Sequence, residues 1–228
     1  MLQLVIGNKN YSSWSMRPWV LMRQLGIAFD EIKLRFDSFA PDSAFHRALA
    51  RYTPAGKVPV LLVDGHAVWD TLAIAEALAD LHPEHAIWPI DRRHRARARS
   101  LAAEMHAGFS ALRKHCPMNI EAALPQVGAR VLATEPAVRS NLDRIDALWS
   151  EQVAASGGPF LFGGFGAVDA MYAPVVARVR GYALPLSAAA QAYADRVWAA
   201  PGVAAWVADA LAEHDFLDFE EPHRATPP

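Results

Sequence analysis

The chain has 228 residues, a formal net charge of −2 and 53% hydrophobic residues. That is enough apolar material for one large core or two smaller ones, and a charge so near zero excludes a general pull toward nucleic acid or an anionic membrane. A single cysteine, Cys116, excludes an internal disulfide framework and a cysteine-rich metal site. No apolar run reaches the ~20 residues that span a bilayer, and Met1-Leu2-Gln3-Leu4-Val5-Ile6 lacks the basic segment and longer apolar core of a signal peptide. The composition therefore predicts a soluble cytoplasmic protein without membrane or nucleic-acid partners.

In chain order, Leu4-Val5-Ile6 reads as a short strand. Trp19, Val20, Met22 and Leu25 mark a helix that stops at Gly26. Residues 29–34 read as a second strand, with Phe29, Ile32 and Leu34 apolar, and a helix is predicted over 41–51, before Thr53-Pro54-Ala55-Gly56. Val60 to Val63 is an unbroken apolar, partly β-branched run, Asp64-Gly65 is a hairpin turn signal, and Ala67-Val68-Trp69 returns as the paired strand. Asp70 and Thr71 supply side-chain oxygens at a helix start, after which Leu72, Ala75, Leu78 and Ala79 continue at helical spacing. The order is βαβαββα, a small mixed sheet with helices on its faces, over residues 1–80.

Residues 81–92, with Pro83 and Pro89, read as a linker. Strand signals then nearly vanish. Helical stretches are predicted over 93–114, 137–155, 168–180, 187–199 and 203–213, so 93–228 reads as an all-α bundle whose tail is loosely ordered from about 220. The basic run Arg92-Arg93-His94-Arg95-Ala96-Arg97-Ala98-Arg99 lacks interleaved aromatic residues and reads as a solvated or interface face of the first bundle helix. The nine histidines show no metal-ligand spacing; His82-Pro83-Glu84-His85 is proline-broken and too short for a helical ligand pair, so no metal is expected. Gly157-Gly158 and Gly163-Gly164-Phe165-Gly166 lack the strand–helix framing of a phosphate loop.

Two parts of the hairpin stretch suit a small peptide. With a cis Val58–Pro59 bond, the Val58 backbone turns outward as an unpaired donor and acceptor, on which a peptide-like ligand pairs as an added strand. The helix start at Asp70-Thr71 offers free N–H groups to a carboxylate, and Asp70 an anchor for an ammonium group.

These residues together resemble the glutathione S-transferase superfamily, over nearly the full chain. Lys57-Val58-Pro59-Val60-Leu61 is similar to the family's cis-proline loop. Asp70-Thr71-Leu72-Ala73-Ile74 resembles its acidic-residue and Ser/Thr motif, and Ser12-Ser13-Trp14-Ser15-Met16-Arg17 resembles the serine motif of zeta-, tau- and theta-like members. Phe165-Gly166-Ala167-Val168-Asp169-Ala170 resembles the capping motif of a buried helix, with Gly166 where serine is usual, so that Asp169 must fix that helix start. Pro201-Gly202-Val203-Ala204-Ala205-Trp206 resembles the family's late Pro-x-Val-x-x-Trp stretch.

The resemblance implies a thioredoxin-like domain followed by an all-α domain, a homodimer, glutathione as co-substrate and a small electrophile as its partner. It implies that a serine hydroxyl donates to the glutathione thiolate. Ser12 lies five positions before Arg17, the zeta-, tau- and omega-like spacing; theta- and delta-like spacing points to Ser13, and Tyr11 is a third candidate. Glutathione contacts are implied for Lys57, Val58, Pro59, Asp70 and Thr71, and an electrophile pocket for Trp14, Met105, His106, Phe109 and Arg113. With no cysteine near the first helix, disulfide exchange is excluded. The energetics suit a hydroxyl. Lowering a thiol pKa of ~8.5 by ~2 units requires about 2.7 kcal/mol. A hydrogen bond to a charged group supplies ~1.5–3 kcal/mol, and a helix N-terminus adds ~0.3–1 kcal/mol. Two other functions fit the same resemblance: a glutathione-dependent isomerase of the maleylacetoacetate type, suggested by the double serine, and a non-catalytic binding protein that keeps the fold as a scaffold.

Overall fold

The computed structural model describes residues 1–224. Four strands, β1 (Leu2–Ile6), β2 (Asp30–Lys33), β3 (Val60–Val63) and β4 (His66–Val68), form one sheet in the order β2-β1-β3-β4. β1 runs parallel to β2 (Val5 opposite Ile32) and antiparallel to β3 (Leu4 opposite Leu61), and β4 returns antiparallel from β3 through Asp64 and Gly65, both at positive φ. Successive side chains on a strand point to opposite faces, so this short sheet supports two cores. Leu4, Ile6 and Leu61 join the large core. Val5, Val60 and Leu62 join a smaller one with Phe36, Phe45 and Leu49.

Helix α1 (Ser13–Leu25) lies on the large-core face and ends at Gly26, whose left-handed backbone lets its N–H reach the carbonyls of Met22 and Arg23. α2 (Ala44–Leu49) covers the opposite face with Phe45 and Leu49 buried, and is shorter than the 41–51 span that the sequence suggests. α3 (Thr71–Leu81) follows β4. The remaining helices are α4 (Arg92–Ala107), α5 (Ser110–His115), α6 (Pro125–Thr134), α7 (Pro136–Ser156), α8 (Ala167–Gly181), α9 (Ala188–Ala199) and α10 (Pro201–Leu211).

The single helix predicted over 93–114 is broken into α4 and α5. A Cβ on Gly108 would sit 2.5 Å from the Glu104 carbonyl oxygen, and Phe109 takes a positive φ of 54°, so the chain turns there. α6 has no counterpart in the sequence analysis. Its interior Gly128 reads as punctuation, but a Cβ there would lie 1.9 Å from the Tyr182 carbonyl oxygen: the glycine allows close packing.

α1 joins the two halves, packing on α8 and α10 as well as on α3. Trp19 of α1 meets Trp206 of α10 edge to face at 5.3 Å. The Lys9 ammonium lies 4.5 Å from the Trp19 ring and 5.6 Å from Trp206, paired with Glu31 and Asp209. The basic run lies largely exposed on α4, and Arg99 reaches α3 through a bidentate bond to Glu76 at 2.8 and 2.7 Å.

The segment after α10 departs from the expected loose tail. Residues 217–224 turn back onto the first half. Leu217 is buried in the smaller core, and Glu221 is buried and accepts from the hydroxyl of Tyr11 and the amide of Asn119. The correction applies to 220–224; residues 225–228 lie outside the described part. Polar residues hold this segment where composition alone suggests solvent.

Candidate active site

A cleft of about 580 Å³ opens where the loop before α1, the loop before β3, the start of α3 and the returning C-terminal segment meet. The loop before α1 is built on Asn8. Its carbonyl accepts the amides of Tyr11 (3.2 Å) and Ser12 (2.8 Å), and its side chain accepts from Phe36 and donates to Asp215. This sets Ser12 as the residue before α1, but its side chain makes no capping bond to that helix. The Ser12 hydroxyl donates instead to Ser15 Oγ at 2.7 Å, which also accepts the Gly7 amide at 3.2 Å. Among the described residues the amides of Trp14 and Ser15 have no partner, so the first turn of α1 keeps free donors beside the cleft.

Ser13 accepts from Nη2 of the buried Arg178 at 3.3 Å. Tyr11, the third hydroxyl candidate, is committed elsewhere. It donates to Glu221 at 2.7 Å and accepts the Leu217 amide, and burial first, then the Glu221 bond, pushes its phenol up to about 12. A phenol so placed has no proton to offer an anion in the cleft.

On the facing side the Val58–Pro59 bond is cis, and neither backbone group of Val58 has a partner among the described residues. Lys57 lines the cleft with an exposed side chain. Asp70 precedes α3 and accepts the Leu72 amide at 3.1 Å, which leaves its second oxygen 3.2 Å from His106 Nε2; His106 Nδ1 lies 3.4 Å from the Thr71 hydroxyl. The Trp69–Asp70 bond is also cis.

Of the expected site residues, Ser12, Ser13, Trp14, Lys57, Val58, Pro59, Asp70, Thr71 and His106 line this one cleft. Three do not. Met105 is fully buried in the large core. Phe109 is buried with its ring 6.4 Å from Tyr172. Arg113 lies behind Trp14, 5.4 Å from its ring. Met105 shares the buried face of α4 with Ala98, Leu101 and Ala102, whereas the turn at Gly108 and Phe109 redirects Phe109 and Arg113. Trp14 also covers Arg17 at 3.9 Å and meets His106 edge to face at 5.1 Å. Arg17 is buried, bonded through Nε to the Met171 carbonyl and without partners on its two terminal nitrogens; burial, then Arg178 and Arg113, drives its pKa well down.

The cleft also takes residues the sequence did not single out: Phe36, Phe39, Phe45, Trp69 and Glu220. Trp69 ends a strand already predicted, whereas Glu220 has no local signal, since only the return of the chain brings it there. At the outer end of α3, ligand atoms of His82, Glu84 and His85 converge within 4.8 Å, a proximity their spacing did not suggest.

Residues 11–81 match the family described as Glutathione S-transferase, N-terminal domain, and residues 93–209 match Glutathione S-transferase, C-terminal domain. The chain belongs to the glutathione S-transferase family. Among solved members, a glutathione transferase homolog from Burkholderia with bound glutathione superposes with a TM-score of 0.68 at 21% identity, over 93% of this chain and 98% of that one. A diazinon-metabolizing glutathione S-transferase from the silkworm Bombyx mori superposes with a TM-score of 0.72 at 14% identity, over 93% and 98%. Such likenesses establish the shared fold. Curated relatives match over shorter spans. A probable maleylacetoacetate isomerase from Caenorhabditis elegans is 38% identical over 44% of each chain, and a maleylacetoacetate isomerase from Dictyostelium discoideum is 30% identical over 39% of each. The aligned part thus covers less than half of either relative.

Asp169 of α8, expected to fix its helix without help from Gly166, accepts the amides of Gly166 (3.0 Å) and Leu161 (3.1 Å) and the hydroxyl of Tyr193 (2.9 Å). Burial pushes its carboxyl up to about 6 against those bonds, which act in the opposite direction. A Cβ at Gly166 would stand 3.0 Å from the Ile87 carbonyl oxygen, which bonds the Ala167 amide, so the linker between the two halves packs where a serine side chain would begin.

Proposed function

We propose that this family member is a glutathione transferase in which the Ser12 hydroxyl and the free amides of α1 stabilise the glutathione thiolate for attack on a small electrophile. The observation that carries this is the meeting of three features in the lining of one cleft. They are a hydroxyl not used to cap its own helix, a Val58 backbone without partners among the described residues and a capped helix start with Asp70 and Thr71. A tripeptide thiol matches all three. Its cysteinyl backbone pairs with Val58, its γ-glutamyl end meets Asp70 and Thr71, its glycyl carboxylate meets Lys57, and its sulfur meets Ser12. Ser12 is taken as the donor on its spacing from Arg17; Ser13, which accepts from Arg178 and keeps its own proton, is the alternative donor. Release of the Ser12 proton from Ser15 toward the sulfur requires only rotation about one bond. The resemblance further supports a homodimer acting in the cytoplasm.

Calorimetric titration with glutathione and with S-methylglutathione at two pH values tests this. Saturable binding that releases a proton with glutathione and none with the methylated form is the expected result. Absence of binding to either removes the proposal in favour of a scaffold role.

The names of the two curated relatives favour a second activity of the same site, in which the thiolate adds to a double bond, the substrate rotates about the resulting single bond, and the thiolate leaves again. Net conversion of a cis to a trans enone without consumption of glutathione would identify it.

A further inference from the structure

The cleft holds an acid that the transferase reading leaves unused. Glu220 closes the short 3-10 turn Asp218–Glu220 and lines the cleft with Tyr11 and Ser12. Its segment is tied down on two sides. Glu221 accepts from Tyr11 at 2.7 Å and from Asn119 at 2.9 Å, and Arg224 binds both Glu221 (2.5 Å) and Glu121 (3.1 Å). None of that anchoring involves Glu220. The Glu220 carboxyl has no hydrogen bond or ion pair among the described residues, although it is half-buried beside the aromatic wall formed by Phe36 and Phe39, the latter 5.3 Å from Phe219.

The charged and titratable groups around it are few. Glu221 stands on its own segment, Tyr11 comes from the loop before α1 with its hydroxyl already donating to Glu221, and Lys57 comes from the loop before β3. Asp70 and His106 line the cleft as a pair. Burial first, and the Glu221 charge second, hold the Glu220 carboxyl up at about 7, so it carries its proton for much of the time near neutrality. Such a group is matched to proton transfer at that pH.

We propose that Glu220 is the proton donor when the thiolate adds to an α,β-unsaturated carbonyl electrophile bound in this cleft. The proposal rests on the transferase reading above. In the step, the thiolate sulfur forms a bond to the β-carbon and the carbon–carbon π pair moves toward the carbonyl as an enolate. The Glu220 O–H bond then breaks and its proton goes to the α-carbon. The carboxylate left behind regains from water the proton that the thiol released on ionising, so the net change is addition of S–H across the double bond, with no leaving group and no oxidant. Substitution on an aryl chloride needs no such donor, because chloride departs with its electron pair.

That difference supplies the test. Turnover of benzylideneacetone and of chlorodinitrobenzene is measured for the native protein, Glu220→Gln and Glu220→Asp, across pH. The expected result is that Glu220→Gln lowers kcat/KM for benzylideneacetone about tenfold or more beyond any loss with chlorodinitrobenzene. The native addition rate should fall as pH rises past about 7, and the Gln variant should lack that falling limb. Glu220→Asp retains an acid and should recover part of the addition rate. If Glu220→Gln fails to fold, a displaced falling limb in Glu220→Asp carries the test. Equal losses with both electrophiles, or no loss with either, overturn the donor role and leave the transferase reading intact. A native protein that turns over neither electrophile overturns both.

Discussion

Helices α1 and α8 pack against each other, and each starts at a buried polar cluster, but the two starts are completed in different ways. At α8 the Asp169 carboxylate takes three donors from its own chain, and every one points inward. At α1 the Ser12 hydroxyl turns aside to Ser15, two first-turn amides have no partner among the described residues, and Arg17 lies below with two unpartnered nitrogens. Natural proteins rarely leave buried polar groups unpaired. A helix start completed from within serves the fold; one left incomplete beside a cleft has capacity for an external anion.

The sharpest way to break this comparison is Asp169→Ala. It strands the amides of Gly166 and Leu161 and the hydroxyl of Tyr193, for an expected loss of about 3–5 kcal/mol in urea denaturation, since each orphaned donor costs ~1–3 kcal/mol. A loss under about 1 kcal/mol would show that the α8 cluster is not structural in this sense. Ser12→Ala reverses the pattern. No cap bond is removed, so stability should change by less than about 1 kcal/mol, while turnover with chlorodinitrobenzene falls roughly 10- to 100-fold through loss of a charged hydrogen bond. Unchanged turnover would mean that the amides of α1 act alone or that Ser13 is the donor.

A smaller effect concerns Glu220. Its carboxyl is raised in the folded protein from 4.5 to about 7, so the native state holds that proton more tightly than the unfolded chain. The resulting stabilisation is fully present below about 4.5 and is lost as pH rises through about 7. Glu220→Gln should therefore flatten the decline of the urea midpoint over that interval, and a slope identical to the native one would place the Glu220 side chain in open solvent.

The first half was legible because its signals are local. Asp64-Gly65 makes its own turn, Asp70 caps its own helix, and Gly26 ends α1 through its own φ. The same locality made Val58, Asp70 and Thr71 readable as one set, to which the family resemblance added Ser12. What the sequence concealed depends on distant contacts. Gly108 and Phe109 break a helix that periodicity alone would continue, so Phe109 and Arg113 leave the cleft, and Met105 faces the core from α4. Gly128 sits inside a helix because the Tyr182 backbone passes against it. Glu220 enters the cleft because Glu221, one residue on, meets Tyr11 some two hundred positions earlier in the chain.

That last contact also bears on how the protein is made. The sheet and its flanking helices emerge from the ribosome first, as N-terminal units generally do. The loop that carries Tyr11 and Ser12, however, receives its Glu221 and Leu217 partners only after some two hundred further residues have been made. The cleft is therefore completed only after residues 217–221 have been made, and a nascent or clipped chain ending before 217 would present the serine on a loop still missing part of its support.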